Sequence, residues 1–330
     1  MSTPSSIKTI TYHGFTHGPR LLVLGAVHGN EICGSRAIER ICAEIDSGAL
    51  RLERGTVTFV PITNPLAYIR QQRAGDRNLN RNLRTTGVPQ DFEDKLGNAL
   101  CPLLERHDVL LDLHSFHTGG EAFAMLGPNN NQGDLEPFSR ATEEEALATR
   151  LGPRRIVEGW LDTYARGVKK RTANASASER ANMLSTDPAY GVGTTEYMRS
   201  RGGYAITLEC GQHEAPEAPE VAYQAIRNTL AHLGLAPLPA PAGRTDLEVL
   251  RICEVIDRNH PDDAFTHPWA SFDRLKSGDV IGTRHDGSTV TAPRDGFILF
   301  PNPNSLPGNE WFYFAELSDR TVDGVPASAR

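Results

Sequence analysis

Residues 21–34 read Leu21-Leu-Val-Leu-Gly-Ala-Val-His-Gly-Asn-Glu-Ile-Cys-Gly34, an apolar run that ends in a polar, glycine-bearing turn. The first seven residues carry no polar side chain, which is typical of a strand that is buried on both faces. The amphipathic stretch that follows predicts a helix over 31–45. A buried strand, a turn and a helix in this order indicate a sheet that is covered by helices.

The same alternation continues through the first two thirds of the chain. Further strands are predicted over 56–62, 109–114 and 204–209, and further helices over 91–105, 143–149, 187–199 and 220–233. A proline-rich tract at 235–243 then suits a linker, and strands over 247–256 and 287–292 follow it. We therefore predict an α/β domain over 1–236, a linker over 237–245 and a small β-domain over 246–330.

Composition excludes several classes of protein. The 330 residues are 39% hydrophobic and 23% charged, which is typical of a folded globular chain. The net charge of −7 argues against nucleic acid or an anionic membrane surface as a partner. The beginning of the chain shows no apolar signal segment or membrane span, so we expect a cytoplasmic protein. The five cysteines form no Cys-x-x-Cys pair, which predicts reduced thiols.

Two histidines and a glutamate are candidate metal ligands. His28 and Glu31 lie three residues apart where strand gives way to helix, so both side chains can face one ion. This spacing also arises by chance and is compatible with a structural role. His114 ends another apolar strand, and the carboxyl ends of neighbouring parallel strands meet at one edge of a sheet. Asp112 faces the same way as His114, either to orient it or as a buried acid.

Basic and acidic residues near these positions suggest further chemistry. Residues 70–84 contain five arginines, and Gly75 with three asparagines favours a loop over a basic helix. Arginine binds carboxylates in a bidentate manner, although a solvated basic face is the alternative. Glu209 ends an apolar strand, where burial raises the pKa of a carboxyl group and suits it to proton transfer. The alternative for Glu209 is an ion pair with an arginine such as Arg199.

Together these motifs resemble the succinylglutamate desuccinylase/aspartoacylase family, relatives of the zinc carboxypeptidases. The matching segments are Gly25 to Glu31, Asn64-Pro65, Asn78 to Leu83, Leu111 to His114, Thr207 to Gly211 and, near the end, Leu299 to Pro303. The resemblance implies a zinc-carboxypeptidase-like mixed central sheet flanked by helices, with a small C-terminal β-domain at the rim of the active site. Asn78 departs from the aspartate that is more usual in the family.

The resemblance also implies a set of site residues. One Zn²⁺ per chain would be held by His28, Glu31 and His114, with Glu209 as general base and then acid and Arg73 polarising the scissile carbonyl. Substrate would be bound by Asn80, Arg81, Arg199 and Tyr313. Residues 120–187 match no motif, so the acyl group is not predicted.

The implied activity is that of a zinc-dependent amidohydrolase. It would use zinc-activated water to cleave the amide bond of a small anionic N-acyl amino acid, such as N-succinylglutamate or N-acetylaspartate. One alternative is a carboxypeptidase-like peptidase or an esterase on the same scaffold. Another is a non-catalytic ligand-binding protein that keeps the fold. A homo-oligomer is compatible with the sequence.

Overall fold

Strands and helices alternate along residues 3–174 and 186–322, which are the residues that the computed structural model describes. The first half contains β1 (Ile10–His13), β2 (Thr16–Leu24), α1 (Cys33–Asp46), β3 (Arg54–Val60), α2 (Pro65–Arg70), α3 (Phe92–Glu105), β4 (Val109–Phe116), β5 (Phe123–Met125), α4 (Ala141–Ala148), β6 (Arg155–Glu158) and α5 (Trp160–Asn174). A 3₁₀ turn (Pro188–Gly191) precedes α6 (Thr194–Ser200), β7 (Tyr204–Gln212) and α7 (Ala218–His232). The remaining strands are β8 (Glu248–Asp257), β9 (Ala264–Phe265), β10 (Arg274–Leu275), β11 (Val280–Thr283), β12 (Thr289–Thr291), β13 (Gly296–Leu299) and β14 (Glu310–Leu317).

The described strands form a large sheet of eleven strands in the order β1-β3-β2-β4-β7-β5-β6-β8-β14-β13-β10. Strand β2 runs parallel to β3 and β4, and β4 runs parallel to β7. The pairs β5 with β7 and β8 with β14 are antiparallel. The sheet is therefore mixed and is flanked by helices, so the predicted fold class is confirmed.

Both faces of the central strands are covered, which explains why their sequences are mostly apolar. Side chains of β2 alternate between two cores because successive residues of a strand point to opposite faces. Leu21 and Val23 pack in the core that contains α1, α4 and α7. Leu22 and Leu24 pack in the core that contains α3 and α6. The strands β2, β4 and β7 are thus fixed side by side at the centre of the molecule.

The C-terminal region continues the large sheet. Strand β8 pairs in parallel with β6, and β14, β13 and β10 extend the sheet beyond it. A separate three-stranded sheet, β12-β11-β9, also belongs to this region. The main sheet contains strands from both sides of the linker predicted at 237–245. The division of the chain into two domains at this linker therefore stays a prediction. Parts of the two predicted domains, 1–2, 175–185 and 323–330, lie outside the described residues.

The predicted secondary structure differs from the observed structure at two places near the sheet. The apolar strand predicted over 21–27 is the end of β2, which stops at Leu24. Ala26 takes a left-handed backbone conformation with φ of 47°, which interrupts the strand. The helix predicted over 187–199 is a 3₁₀ turn followed by α6, and the two are separated at Gly193. A Cβ atom on Gly193 would lie 2.0 Å from Oδ1 of Asn80, so a larger residue here would displace the Asn80 amide. Within 3–174 and 186–322, no helix is long and apolar enough to cross a membrane.

Candidate active site

Three predicted metal ligands converge beside the ends of β2 and β4. His28, Glu31 and His114 are each at most 2% exposed, and their ligand atoms lie within 4.8 Å of one another. Nδ1 of His28 is 2.9 Å from Oε1 of Glu31, and Nδ1 of His114 is 2.8 Å from Oε2. Elsewhere in residues 3–174 and 186–322, no such group of three ligand side chains occurs. We call these three residues the metal-ligand cluster.

The turn after β2 positions two members of the cluster. The left-handed backbone of Ala26 redirects the chain, and the backbone N–H of Glu31 donates to the carbonyl of His28 at 3.1 Å. Gly29 packs against the backbone of α2, where a Cβ atom would lie 2.0 Å from the carbonyl carbon of Ala67. A side chain at this position would therefore displace the turn that carries His28.

Both imidazoles of the cluster have a polar neighbour on the side away from Glu31. Nε2 of His28 lies 3.0 Å from Oδ1 of Asn78, and Nε2 of His114 lies 3.0 Å from Oδ2 of Asp112. For His28, the acceptor at Nε2 favours the tautomer that keeps its proton there and leaves the Nδ1 lone pair for a metal. Asn78 therefore accepts through an amide oxygen where the resembled family more usually has a carboxylate.

The donor set of the cluster fits Zn²⁺. Two imidazole nitrogens and one carboxylate oxygen are ligands that zinc prefers, and three protein ligands leave a position for water or substrate. Burial acts to raise the pKa of Glu31, but the adjacent histidines hold it well below its usual range. The carboxyl group is therefore an anionic donor, as a metal site requires.

Glu209 lies beside the cluster on β7, at the position that pairs with His114 of β4. The side chain is 9% exposed, and its Oε2 atom has no hydrogen-bond partner among the described residues. Burial, together with the nearby Glu31 carboxylate, raises the pKa of Glu209 to about 8. A carboxyl group with one free oxygen is therefore available at the cluster for proton transfer.

Arg73 lies at the exposed rim of the cluster. Its Nη1 atom donates to Oε1 of Glu31 at 2.9 Å, while 54% of the side chain is exposed. The rest of its planar guanidinium can therefore donate to a carbonyl oxygen that approaches Glu31 from solvent.

Asn80 and Arg81 lie in the same irregular segment, which confirms the predicted loop. Oδ1 of Asn80 accepts the backbone N–H of Thr194 at 2.8 Å, at the start of α6. The amide NH₂ group is thus the part of Asn80 that remains for a substrate. The guanidinium carbon of Arg81 lies 4.7 Å from the ring centroid of Trp160 and 5.2 Å from that of Tyr164. These rings fix the orientation of a cation whose side chain is 13% exposed.

Tyr313 of β14 lies next to this aromatic group. Its ring centroid is 5.5 Å from that of Trp160, and burial raises the pKa of the hydroxyl group well above its usual value. Glu310, on the same strand, has Oε1 4.0 Å from Nη2 of Arg81. The C-terminal region thus contributes side chains around Arg81. Trp160, Tyr164 and Glu310 were not predicted, and no motif in the sequence marks them.

The structure does not bring Arg199 to the metal-ligand cluster. Its Nε and Nη2 atoms donate to both oxygens of Glu144 at 2.9 and 3.0 Å, and Nη1 donates to Glu136 at 2.8 Å. Nη2 also donates to the carbonyl of Ala205. With four donors occupied and a side chain that is 3% exposed, the geometry argues against the predicted role in substrate binding.

We therefore expect Arg199→Gln to change stability rather than substrate binding. Removing one partner of a buried ion pair leaves an uncompensated charge, and the expected loss in free energy of unfolding is about 3–5 kcal/mol. Urea denaturation measures this loss, with Arg201→Gln as the control because that side chain, two residues later, is half exposed. Equal stability of the two variants would contradict the structural role.

A further polar contact at the cluster was not predicted. The backbone N–H of Ser115 donates to Oε2 of Glu31 at 3.3 Å, and its Oγ atom lies 2.8 Å from Nδ1 of His213. Nε2 of His213 lies 3.4 Å from Nδ2 of Asn30. These contacts hold the Glu31 carboxylate from the side of β4, and nothing in the local sequence indicates them.

The comparison with protein families matches residues 17–148 to the succinylglutamate desuccinylase/aspartoacylase catalytic domain. The resemblance to this family is confirmed. The matched segment contains all three members of the metal-ligand cluster together with Arg73, Asn80 and Arg81, whereas Glu209 and Tyr313 lie outside it. A search of curated proteins finds no match.

Several solved structures share the fold. A succinylglutamate desuccinylase/aspartoacylase from Rhodobacter sphaeroides is 18% identical, with a TM-score of 0.70 over 94% of this chain and 90% of that one. The ectoine utilization protein EutE (DoeB) from Ruegeria pomeroyi, solved with product bound, is 18% identical, with a TM-score of 0.67 over 93% and 87%. Succinylglutamate desuccinylase from Vibrio cholerae is 18% identical, with a TM-score of 0.66 over 93% and 84%. The fold is therefore zinc-carboxypeptidase-like.

Proposed function

We propose that this chain is a zinc-dependent deacylase that hydrolyses the amide bond of a small N-acyl amino acid. The observation that carries the proposal is the buried cluster of His28, Glu31 and His114 beside the free carboxyl oxygen of Glu209. The match to the catalytic domain of a deacylase family supports the reaction class.

The proposed metal would be held by Nδ1 of His28, Nδ1 of His114 and the carboxylate of Glu31. When bound, zinc supplies Lewis-acid activation of water and of the scissile carbonyl. Asn78 holds the His28 imidazole in the tautomer that this role needs, through its 3.0 Å contact at Nε2, and the Asp112 carboxylate lies 3.0 Å from Nε2 of His114.

Two residues of the chain would transfer the proton and stabilise the negative charge that develops on the carbonyl oxygen. Glu209 takes a proton from the attacking water and delivers it to the leaving amine, for which a buried carboxyl group with a raised pKa is suited. Arg73 donates an N–H to the carbonyl oxygen as that oxygen gains negative charge. Both groups border Glu31, so they can act on a carbonyl held at the cluster.

Substrate recognition would rest on Asn80 and Arg81. The guanidinium of Arg81 and the NH₂ group of Asn80 are donors only, and they suit a carboxylate. The aromatic rings of Trp160 and Tyr164 restrict the guanidinium, which lowers the entropy lost on binding. This local positive charge explains how a chain of net charge −7 can select an anion.

The direct test of the function is amine release from a panel of N-succinyl, N-acetyl and N-benzoyl amino acids. Zinc-loaded and chelator-treated protein are compared side by side, with unblocked dipeptides and amino acid esters in the same panel. We expect metal-dependent release from an N-acyl amino acid. Release from dipeptides or esters alone would favour the peptidase or esterase, and no release despite bound zinc would favour a binding protein.

The carboxylate-binding role of Arg81 predicts a selective effect on KM. Arg81→Gln removes a charged hydrogen bond to the substrate, so we expect KM to rise roughly 10- to 100-fold with a smaller change in kcat. Steady-state kinetics on the substrate found in the panel measure both constants. Arg84→Gln, an exposed arginine of the same segment, is the control. Equal KM values for the two variants would remove Arg81 from the substrate site.

A further inference from the structure

A cavity of about 420 Å³ lies mainly in the C-terminal region and shares no residue with the metal-ligand cluster. Its wall includes Thr118, Arg258, Phe265, Trp269, Pro301 and Trp311. Thr118 lies four residues after His114, on the segment that leaves β4. The cavity is therefore connected through the backbone to the strand that carries a candidate metal ligand.

Three side chains in this wall contain buried polar atoms that lack a partner among the described residues. These atoms are Oγ1 of Thr118, Nε of Arg258 and Nε1 of Trp311. The two nitrogens are donors only, and the hydroxyl group can also donate. Buried donors without an acceptor are rare because each costs free energy, so an acceptor that reaches these atoms from the cavity would be stabilising.

The charge of the cavity wall favours an anion as that acceptor. The Nη atoms of Arg258 donate to backbone carbonyls, including those of Pro303 and Pro261, and no carboxylate of the described residues forms an ion pair with Arg258. Asp263 is the one acid found in the described wall, and its Oδ2 atom accepts from Arg284 at 2.8 Å. Burial acts to raise the pKa of Asp263, but Arg284 and neighbouring backbone N–H groups hold it well below its usual range. The negative charge of Asp263 is thus balanced by Arg284, whereas the positive charge of Arg258 has no carboxylate partner among the described residues.

Apart from His267, the rest of the wall is apolar, and two of its rings are stacked. The rings of Phe265 and Trp311 stack with centroids 4.5 Å apart and an interplanar angle of 24°. Trp269 and Pro301 add further apolar surface. Such a wall favours a flat ring, which buries apolar area without losing much conformational freedom.

We propose that this cavity binds a small carboxylate that carries an aromatic ring. The carboxylate accepts hydrogen bonds from the unpartnered donors of Thr118, Arg258 and Trp311, and the ring lies against the aromatic wall. The site is separate from the one that Arg81 would provide for substrate, so the chain would bind two different organic anions.

Isothermal titration calorimetry with benzoate tests the proposal on the full chain. We expect saturable binding of benzoate, and weaker binding of benzyl alcohol, which lacks the charge, and of acetate, which lacks the ring. Thr118→Val removes a donor and nearly keeps the side-chain shape, whereas Trp311→Phe removes a donor together with one ring of the buried indole. Each is expected to weaken benzoate binding by about tenfold, the effect of one hydrogen bond to a charged acceptor.

Two control variants separate this cavity from other sites. Trp269→Phe loses the same ring area as Trp311→Phe, but its indole N–H already donates to the carbonyl of Ile281 at 3.0 Å, so benzoate affinity should fall less in this variant than in Trp311→Phe. Arg81→Gln should leave the affinity unchanged. Loss of binding in Arg81→Gln with none in Thr118→Val would place benzoate at the substrate site and overturn the proposal. No binding up to about 10 mM benzoate would also overturn it. Neither result depends on catalytic activity, so the proposed deacylase function is tested independently.

Discussion

Glu209→Gln is expected to lower kcat by about 10²- to 10⁴-fold, the usual contribution of a positioned general acid–base group. The amide keeps the size and shape of the carboxyl group but can neither accept nor deliver a proton at neutral pH. Because Glu209 is not among the three residues that converge as ligands, the variant should keep the zinc content of the parent protein. Kinetics on the substrate found in the panel and elemental analysis for zinc measure the two quantities.

The same substitution is expected to leave stability unchanged or to increase it. Glu209 is buried next to the Glu31 carboxylate, and both factors raise its pKa, which means that the ionised form is unfavourable there. A neutral amide removes that cost, so the melting temperature of the variant should not fall below that of the parent. A loss of activity that accompanies unfolding would therefore contradict this interpretation.

Glu214→Gln is the matched control for Glu209→Gln. It makes the same chemical change at an exposed position five residues later. We expect its kcat and zinc content to equal those of the parent protein. A Glu209→Gln variant that is as active as Glu214→Gln would exclude Glu209 as the proton carrier.

The central part of the candidate site could be predicted because its residues follow directly from strand ends. The runs before His28, His114 and Glu209 are mostly apolar, since the strands are buried on both faces. Neighbouring parallel strands place such positions at the same edge of the sheet, and the observed order of β2, β4 and β7 does so here.

The surroundings of the arginines could not be predicted, because they depend on packing between distant segments. Arg199 is bound by Glu144, which lies 55 residues earlier in the chain on a helix that carries no motif. The aromatic rings around Arg81 come from α5, and Glu310 comes from β14. Local sequence patterns contain no information on which of these elements meet.

Glu31→Gln is expected to abolish zinc binding at micromolar zinc and, with it, the activity. The carboxylate lies between Nδ1 of His28 and Nδ1 of His114, so the substitution removes one of three proposed ligands and its negative charge. Changing a residue that only orients a ligand costs about 10- to 100-fold in metal affinity, and loss of a ligand should cost more. Elemental analysis after dialysis against zinc measures occupancy, and competition with a chromogenic chelator measures affinity.

Glu39→Gln, an exposed position on α1, is the control and should retain zinc and activity. Stoichiometric zinc in Glu31→Gln would exclude the cluster as the metal site.

The zinc contents of Glu31→Gln and Glu209→Gln distinguish a metal ligand from a proton carrier, which loss of activity alone would not. If Glu31 is a ligand and Glu209 is the proton carrier, both variants are inactive, but only Glu31→Gln has lost zinc. If Glu209 were instead a ligand, both variants would lose zinc together, and the proton would need another carrier beside the cluster.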